Sequence, residues 1–142
     1  MNHVETAPMN RPRILALVAC VALSGFAGCG GGNDKEDAEE AVRQIVEASG
    51  GKDVKKFCGL ATQRLLEELT GAKGDEAKEA CEKQPPPRRA ADYKLDRIVR
   101  TQVDGDKATV TVELRSSGGQ KRPQVFPLKK EDGEFKLRAA RE

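Results

Sequence analysis

The hydrophobic repeat of this chain changes period once, at Pro85-Pro86-Pro87, and that change limits the architectures open to it. Before the prolines, apolar residues recur at three- and four-residue steps, the mark of amphipathic helices. After them, apolar and polar residues alternate, the mark of half-buried strands. Charge switches at the same place: residues 34–82 hold 13 acidic and 8 basic side chains, residues 83–142 hold 9 acidic and 15 basic. Helices followed by strands, with one apolar face each, predict an α+β domain whose helices lie on one side of an antiparallel sheet.

The helical half divides at its turn residues. Asn33 is placed to cap a first helix, with Glu36 as its box partner, and Ala38, Ala41, Val42, Ile45 and Ala48 form its buried stripe before Ser49-Gly50-Gly51 ends it. Asp53 caps a second helix with the stripe Val54, Phe57, Cys58, Ala61, Leu65 and Leu69, stopped by Gly71. A short third helix, 75–83, offers Ala77, Ala80 and Cys81. In the other half, Tyr93, Leu95, Val99 and Val103 share one phase of a long strand, and Ile98 out of phase predicts a bulge. Asp104-Gly105-Asp106 turns into Ala108, Val110, Val112 and Leu114, the cleanest alternation in the chain. Phe126 and Leu128 mark a third strand, edge-like because Pro123 and Pro127 each lack a donor. Asp132-Gly133 leads to a last strand with Phe135 and Leu137 inward.

The N-terminal residues carry a different signal. Arg11 and Arg13 precede an uncharged apolar run from Ile14 to Ala27, which as helix spans about 21 Å, short of the ~30 Å hydrocarbon core. A positive flank, a short apolar centre and small residues at its end are the parts of a secretory signal peptide. Met9 opens a more typical leader than Met1, since Glu5 is out of place in a basic segment. Phe26-Ala27-Gly28-Cys29 resembles the lipobox of bacterial lipoproteins. By that resemblance residues 1–28 are removed, Cys29 carries the lipid, residues 29–34 are a flexible tether and 35–142 form the domain. The alternative lipobox at Cys20 leaves an apolar run of six residues. The expected location is the extracytoplasmic side of the cell membrane, since two acyl chains anchor stably.

Processing at Cys29 leaves 114 residues with no histidine and three cysteines. Cys58 and Cys81 are then a pair in a compartment where disulfides persist, and the bond would stabilise the fold by about 3 kcal/mol. The alternative is two separately buried thiols. Two cysteines without histidine do not complete a tetrahedral metal site, and no cofactor is expected.

Helices followed by an antiparallel meander resemble the NTF2-like superfamily, in particular its small actinobacterial-type lipoproteins. The carrying segments are Val103-Asp104-Gly105-Asp106-Lys107-Ala108-Thr109-Val110 and Pro127-Leu128-Lys129-Lys130-Glu131-Asp132-Gly133-Glu134-Phe135. The resemblance implies two to three helices on one face of a curved four-stranded sheet, enclosing a cone lined by Tyr93, Leu95, Val110, Val112 and Phe135.

Three roles compete for such a cone. A non-catalytic domain binding a small hydrophobic ligand or an envelope protein suits an apolar interior. An isomerase- or dehydratase-type enzyme would need a pocket Tyr93 with an aspartate, yet Asp92 and Asp96 alternate away from Tyr93 and no catalytic residue is assigned. A contact with envelope polymer or anionic lipid would use Arg88, Arg89, Lys121, Arg122, Lys129 and Lys130. Nucleic acid is excluded by a net charge of +2 and 4% aromatic residues.

Overall fold

A computed structural model describes residues 31–85 and 92–140. Four helices precede four strands: α1 (Gly31–Gly50), α2 (Val54–Gly59), α3 (Gln63–Thr70), α4 (Asp75–Glu82), β1 (Tyr93–Asp104), β2 (Lys107–Ser116), β3 (Lys121–Glu131) and β4 (Glu134–Leu137). The strands form one antiparallel meander in the order β1-β2-β3-β4. Among the described residues no helix is long and apolar enough to cross a membrane. Cys29, Cys20, the leader, Pro86, Pro87, Arg88 and Arg89 lie outside the described residues.

The stripe read for α1 is the one it buries: Ala38, Ala41, Val42, Ile45 and Ala48 pack with Val110, Val112, Leu128 and Phe135 of the sheet. The helix starts earlier than Asn33, so Gly31 to Asp34, read as tether, are its first turn. A tertiary contact accounts for this. Asp34 accepts a 2.6 Å bond from Lys130 Nζ on β3, and a carboxylate there also suits the positive end of the helix.

The expected second helix is two helices. Asp53 caps α2 as predicted, but the chain opens at Leu60–Thr62, and Thr62 caps α3 through its hydroxyl on Leu65 N–H. The opened segment pairs with β4: Leu137 N–H donates to Leu60 O at 2.7 Å and Thr62 N–H to Leu137 O at 2.8 Å. The gain is that the far side of short β4 finds partners rather than water. Because the register restarts at Thr62, Leu66 is the buried residue of α3 and Leu69 is 51% exposed. Cys58 and Cys81 are joined in a disulfide at the centre of a second small core with Ala61, Leu66 and Ala77.

Two bulges, at Leu95/Arg97 and Ile98/Arg100, each slip the phase of β1 by one residue. Ile98 between them faces the core, and Val99, expected inward, is 55% exposed. The expected edge strand also needs correction. Residues 121–126 of β3 have no backbone partner beyond β2 among the described residues, Pro127 O accepts from Arg138 N–H at 3.0 Å, and Leu128–Glu131 pair with β4. Pro123 falls in the unpaired half and Pro127 at its boundary, bonded outward through its carbonyl alone, so the missing donors cost little. At the β3–β4 hairpin Asp132 and Gly133 both take positive φ, the requirement of a tight I′ turn.

The cavity around Tyr93

Helix α1 crosses the inner face of the sheet and fills most of the cone. Val110 and Val112, expected to line a pocket, are 0% exposed behind Ile45 and Val42. Phe135 is buried at the far end, beside a separate polar-edged cleft of about 270 Å³ formed with Asp37, Glu40 and Leu60. The helix side chains plug the middle, so the five expected residues do not share one lining.

Open space remains at the other end, where α1 finishes and β1 begins. A cavity of about 550 Å³ lies between Arg43, Val46, Glu47, Gly50 and Gly51 of α1 and Tyr93, Lys94 and Leu95 of β1. A second, of about 190 Å³, lies on the sheet side of Tyr93 and Val46, against Leu114, Arg122, Gln124 and Phe126. Tyr93 and Val46 are common to both. The Arg122 guanidinium lies over the Tyr93 ring at 4.2 Å, a cation–π contact that sets the edge of the smaller space. Gly50 shapes the larger one: a Cβ there would come to 3.5 Å of Tyr93 O, an ordinary contact, so its lack of a side chain leaves room rather than meeting a backbone need.

Of the expected residues, then, Tyr93 and Leu95 line the larger cavity. Arg43, Val46, Gly50 and Arg122 were missed. One signal was present for Arg122, which shares the inward phase of Gln124, Phe126 and Leu128 along β3.

Asp96 faces the opposite way, as alternation predicted, but Asp92, expected to do the same, borders a cleft of about 480 Å³ with Tyr93 and Arg122 at the start of β1. On the outer face Asp96 accepts from Arg115 at 2.6 Å and Lys121 at 2.7 Å, while Lys121 also meets Glu113 at 3.0 Å. The hydrogen bond from Lys121 holds the Asp96 carboxyl below its ordinary range; partial burial opposes this and the Arg115 charge adds to it. The same bond raises Lys121. The depressed carboxyl contributes stability above its unfolded pKa of about 3.9 and loses it as pH falls through the folded value. The raised ammonium contributes below about 10.4 and loses it as pH rises through its folded value. Both contributions are present at neutral pH. Carboxyl NMR titration is expected to place Asp96 below the free value and to move it upward in Lys121→Met. A midpoint unchanged by that substitution would contradict the assigned cause.

The basic residues expected to form one surface do not. Lys121 belongs to the outer-face network and Arg122 to the inner face over Tyr93. Lys130 bonds Asp34 and lies 5.1 Å from the Phe135 ring centroid. Consecutive strand residues point to opposite faces, so adjacent cations are divided between them. No group of three or more His, Cys, Asp or Glu side chains among the described residues is placed to hold a metal ion.

Comparison with known proteins agrees with this architecture. A candidate NTF2-like transpeptidase from Campylobacter jejuni superposes with a TM-score of 0.51 at 14% identity, covering 71% of this chain and 96% of its own. That likeness shows the fold, which is NTF2-like. A candidate polyketide cyclase from Sinorhizobium meliloti matches at a TM-score of 0.42 and 20% identity, over 73% of this chain and 94% of its own. An NTF2-like protein of unknown function from Cytophaga hutchinsonii matches at 0.39 and 11%, over 71% and 86%. No curated protein matches the sequence. A sequence-family profile described as Domain of unknown function (DUF4878) matches residues 27–138.

Proposed function

The chain belongs to the DUF4878 family of domains of unknown function, and we propose that this member is a lipid-anchored extracytoplasmic protein whose NTF2-like domain binds a small apolar ligand without catalysis. The observation that carries the reading is the cavity of about 550 Å³ beside Tyr93, walled largely by Val46, Leu95, the Tyr93 ring and bare glycine backbone. A concave, mostly apolar space with a few polar groups at its rim suits ligand retention. An enzymatic reading has less support. Of the two carboxylates it would recruit, Asp96 is turned to the outer face and held ionised by Lys121, and Asp92 borders a cleft with Tyr93 that Ser116, Ser117 and Arg122 make polar rather than the apolar cavity.

The anchor reading is supported by Arg11 and Arg13, the apolar run and the Phe26-Ala27-Gly28-Cys29 segment. It also fixes how the domain would stand. Cys29 is two residues before the start of α1, a reach of at most about 7 Å, so the N-terminal end of the helix rides close to the bilayer. The twenty residues of α1 extend about 30 Å, which sets the Tyr93 cavity at the far end. The near end carries Asp34, Glu36 and Asp37, with Asp106 of the β1–β2 turn brought alongside by its carbonyl bond to Lys130 N–H. Lys35, Lys107 and Lys129 stand at the same end, so it offers both signs of charge to the headgroups.

In cells, Cys29→Ala is expected to abolish incorporation of an alkyne-tagged palmitate and to lose the lipid-modified, membrane-retained form. Undiminished labelling would remove the anchor. Occupancy of the cavity is expected to show as a small apolar molecule co-purifying with the chain and missing from Gly50→Leu, whose added side chain fills the space.

A further inference from the structure

Helix α1 covers the inner face of the sheet, and the side chains between its inward rows form an outer face. Two of the three large hydrophobic side chains exposed among the described residues, Val99 at 55% and Val125 at 50%, stand there. We propose that this outer face is a docking surface for an acidic protein partner, held transiently, with Val99 and Val125 at the centre of the contact and cations around them.

The bulges of β1 build the surface. Each sets two consecutive β1 residues against one residue of β2: Asp96 and Arg97 against Glu113, Val99 and Arg100 against Thr111. Leu95 and Ile98 turn to the core, and the Thr101 hydroxyl bonds Glu39 of α1, so the four residues between them face outward. Thr111 is paired with Val125 on its other side, which brings Val99 and Val125 into one row, about 10 Å apart across β2. Neither valine belongs to either core cluster. The fold therefore gains no packing from them.

Around that row the face carries Lys94, Arg97, Arg100, Arg115 and Lys121 against two carboxylates, Asp96 and Glu113. Both carboxylates are already shared. Asp96 bridges Arg115 and Lys121 at 2.6 and 2.7 Å, and Glu113 bridges Lys121 and Arg97 at 3.0 and 3.4 Å. The face keeps an excess of positive charge that carboxylates from outside would complement. An uncharged centre with a polar, arginine-bearing rim is the anatomy of a protein interface.

Other occupants match it less well. A second copy laid face to face sets the same positive excess against itself. A polyanion pairs the cations and leaves both valines in water. None of the side chains on this face is aromatic, so it lacks the tryptophan and tyrosine that anchor in a bilayer interface. Three strands about 4.8 Å apart and the ten residues of β2 give an area of roughly 14 by 34 Å. Both partners together would bury about 1,000 Å², the size of a transient contact.

The test uses the full-length protein in non-ionic detergent micelles with isotope-labelled valine methyls. The probes are a glutamate-rich random copolymer containing tyrosine and a poly-glutamate of equal length. The copolymer is expected to bind about tenfold more tightly. It should shift the methyl resonances of Val99 and Val125 and leave those of buried Val110 and Val112 in place. Val99→Ser/Val125→Ser is expected to bring the two polymers to equal affinity. Lys94→Ser/Arg100→Ser should weaken both about tenfold and flatten their salt dependence. Gly50→Leu, at the Tyr93 cavity, should change neither affinity. Equal affinity of the two polymers for the wild type, or binding that leaves Val99 and Val125 unshifted, would overturn the proposal. So would self-association in sedimentation that Val99→Ser/Val125→Ser abolishes, which would assign the face to a second copy. Phosphatidylglycerol vesicles shifting the same methyls more than the copolymer would assign it to the membrane and overturn the protein partner.

Discussion

Replacing Cys58 and Cys81 together by alanine is expected to lower stability by about 3 kcal/mol, the entropy of freeing a loop whose ends are 23 positions apart. The bond matters because of what it holds. Helices α2, α3 and α4 have six, eight and eight residues, each too short to persist alone. Their shared core consists mainly of Cys58, Ala61, Leu66, Ala77 and Cys81, with one large aliphatic side chain among them. Little apolar area is buried there, so a covalent link replaces packing that larger side chains would supply. Reduction of the wild-type bond should reproduce the loss. Because α4 reaches the rest of the domain through α2 and α3, hydrogen exchange should rise first in Asp75–Glu82 and later in α1 and β2. A melting temperature unchanged on reduction would show that the pair contributes nothing.

Ile45→Ala is expected to cost about as much, within the 2–5 kcal/mol range for deleting a buried aliphatic side chain. Ile45 is 1% exposed and belongs to the cluster with Val42, Val110, Val112 and Leu128 that closes the middle of the cone. Neighbours on a helix and on a four-stranded sheet are poorly placed to collapse into the space left behind. Urea unfolding should show a lower midpoint with an unchanged slope, because the surface exposed on unfolding is nearly the same. Val46→Ala, at the edge of the Tyr93 cavity rather than inside the plug, should cost less than half as much. Equal losses at the two positions would mean that the cone is not filled as described.

These two sites also show what the sequence carried. The α1 stripe and the alternation of β2 were legible because each element's partner covers one whole face, so period alone identifies the buried side chains. The break at Leu60–Thr62 was not, since it answers to Leu137, far along the chain, through backbone bonds that leave no mark in hydrophobicity. Ile98 announced a bulge, but its position relative to Val99 depended on a second slip at Leu95/Arg97. The cavity was half legible. Tyr93 and Leu95 fall at the mouth because they begin the first inward row of the sheet. Val110 and Val112 were assigned to the lining by fold resemblance alone, which does not count the volume that Val42 and Ile45 bring from the helix. A pocket is the space left after packing, and of its edge residues only Arg122, in the inward phase of Gln124, Phe126 and Leu128, has a local signature.

Native mass spectrometry of the protein isolated from its own membranes tests the central claim, that the space beside Tyr93 is a ligand site, most directly. The account predicts that the wild-type chain carries an additional small apolar mass beyond its covalent lipid, and that Gly50→Leu, folded to the same melting temperature, does not. A wild-type chain free of any such mass, or a mass retained in Gly50→Leu, would contradict it.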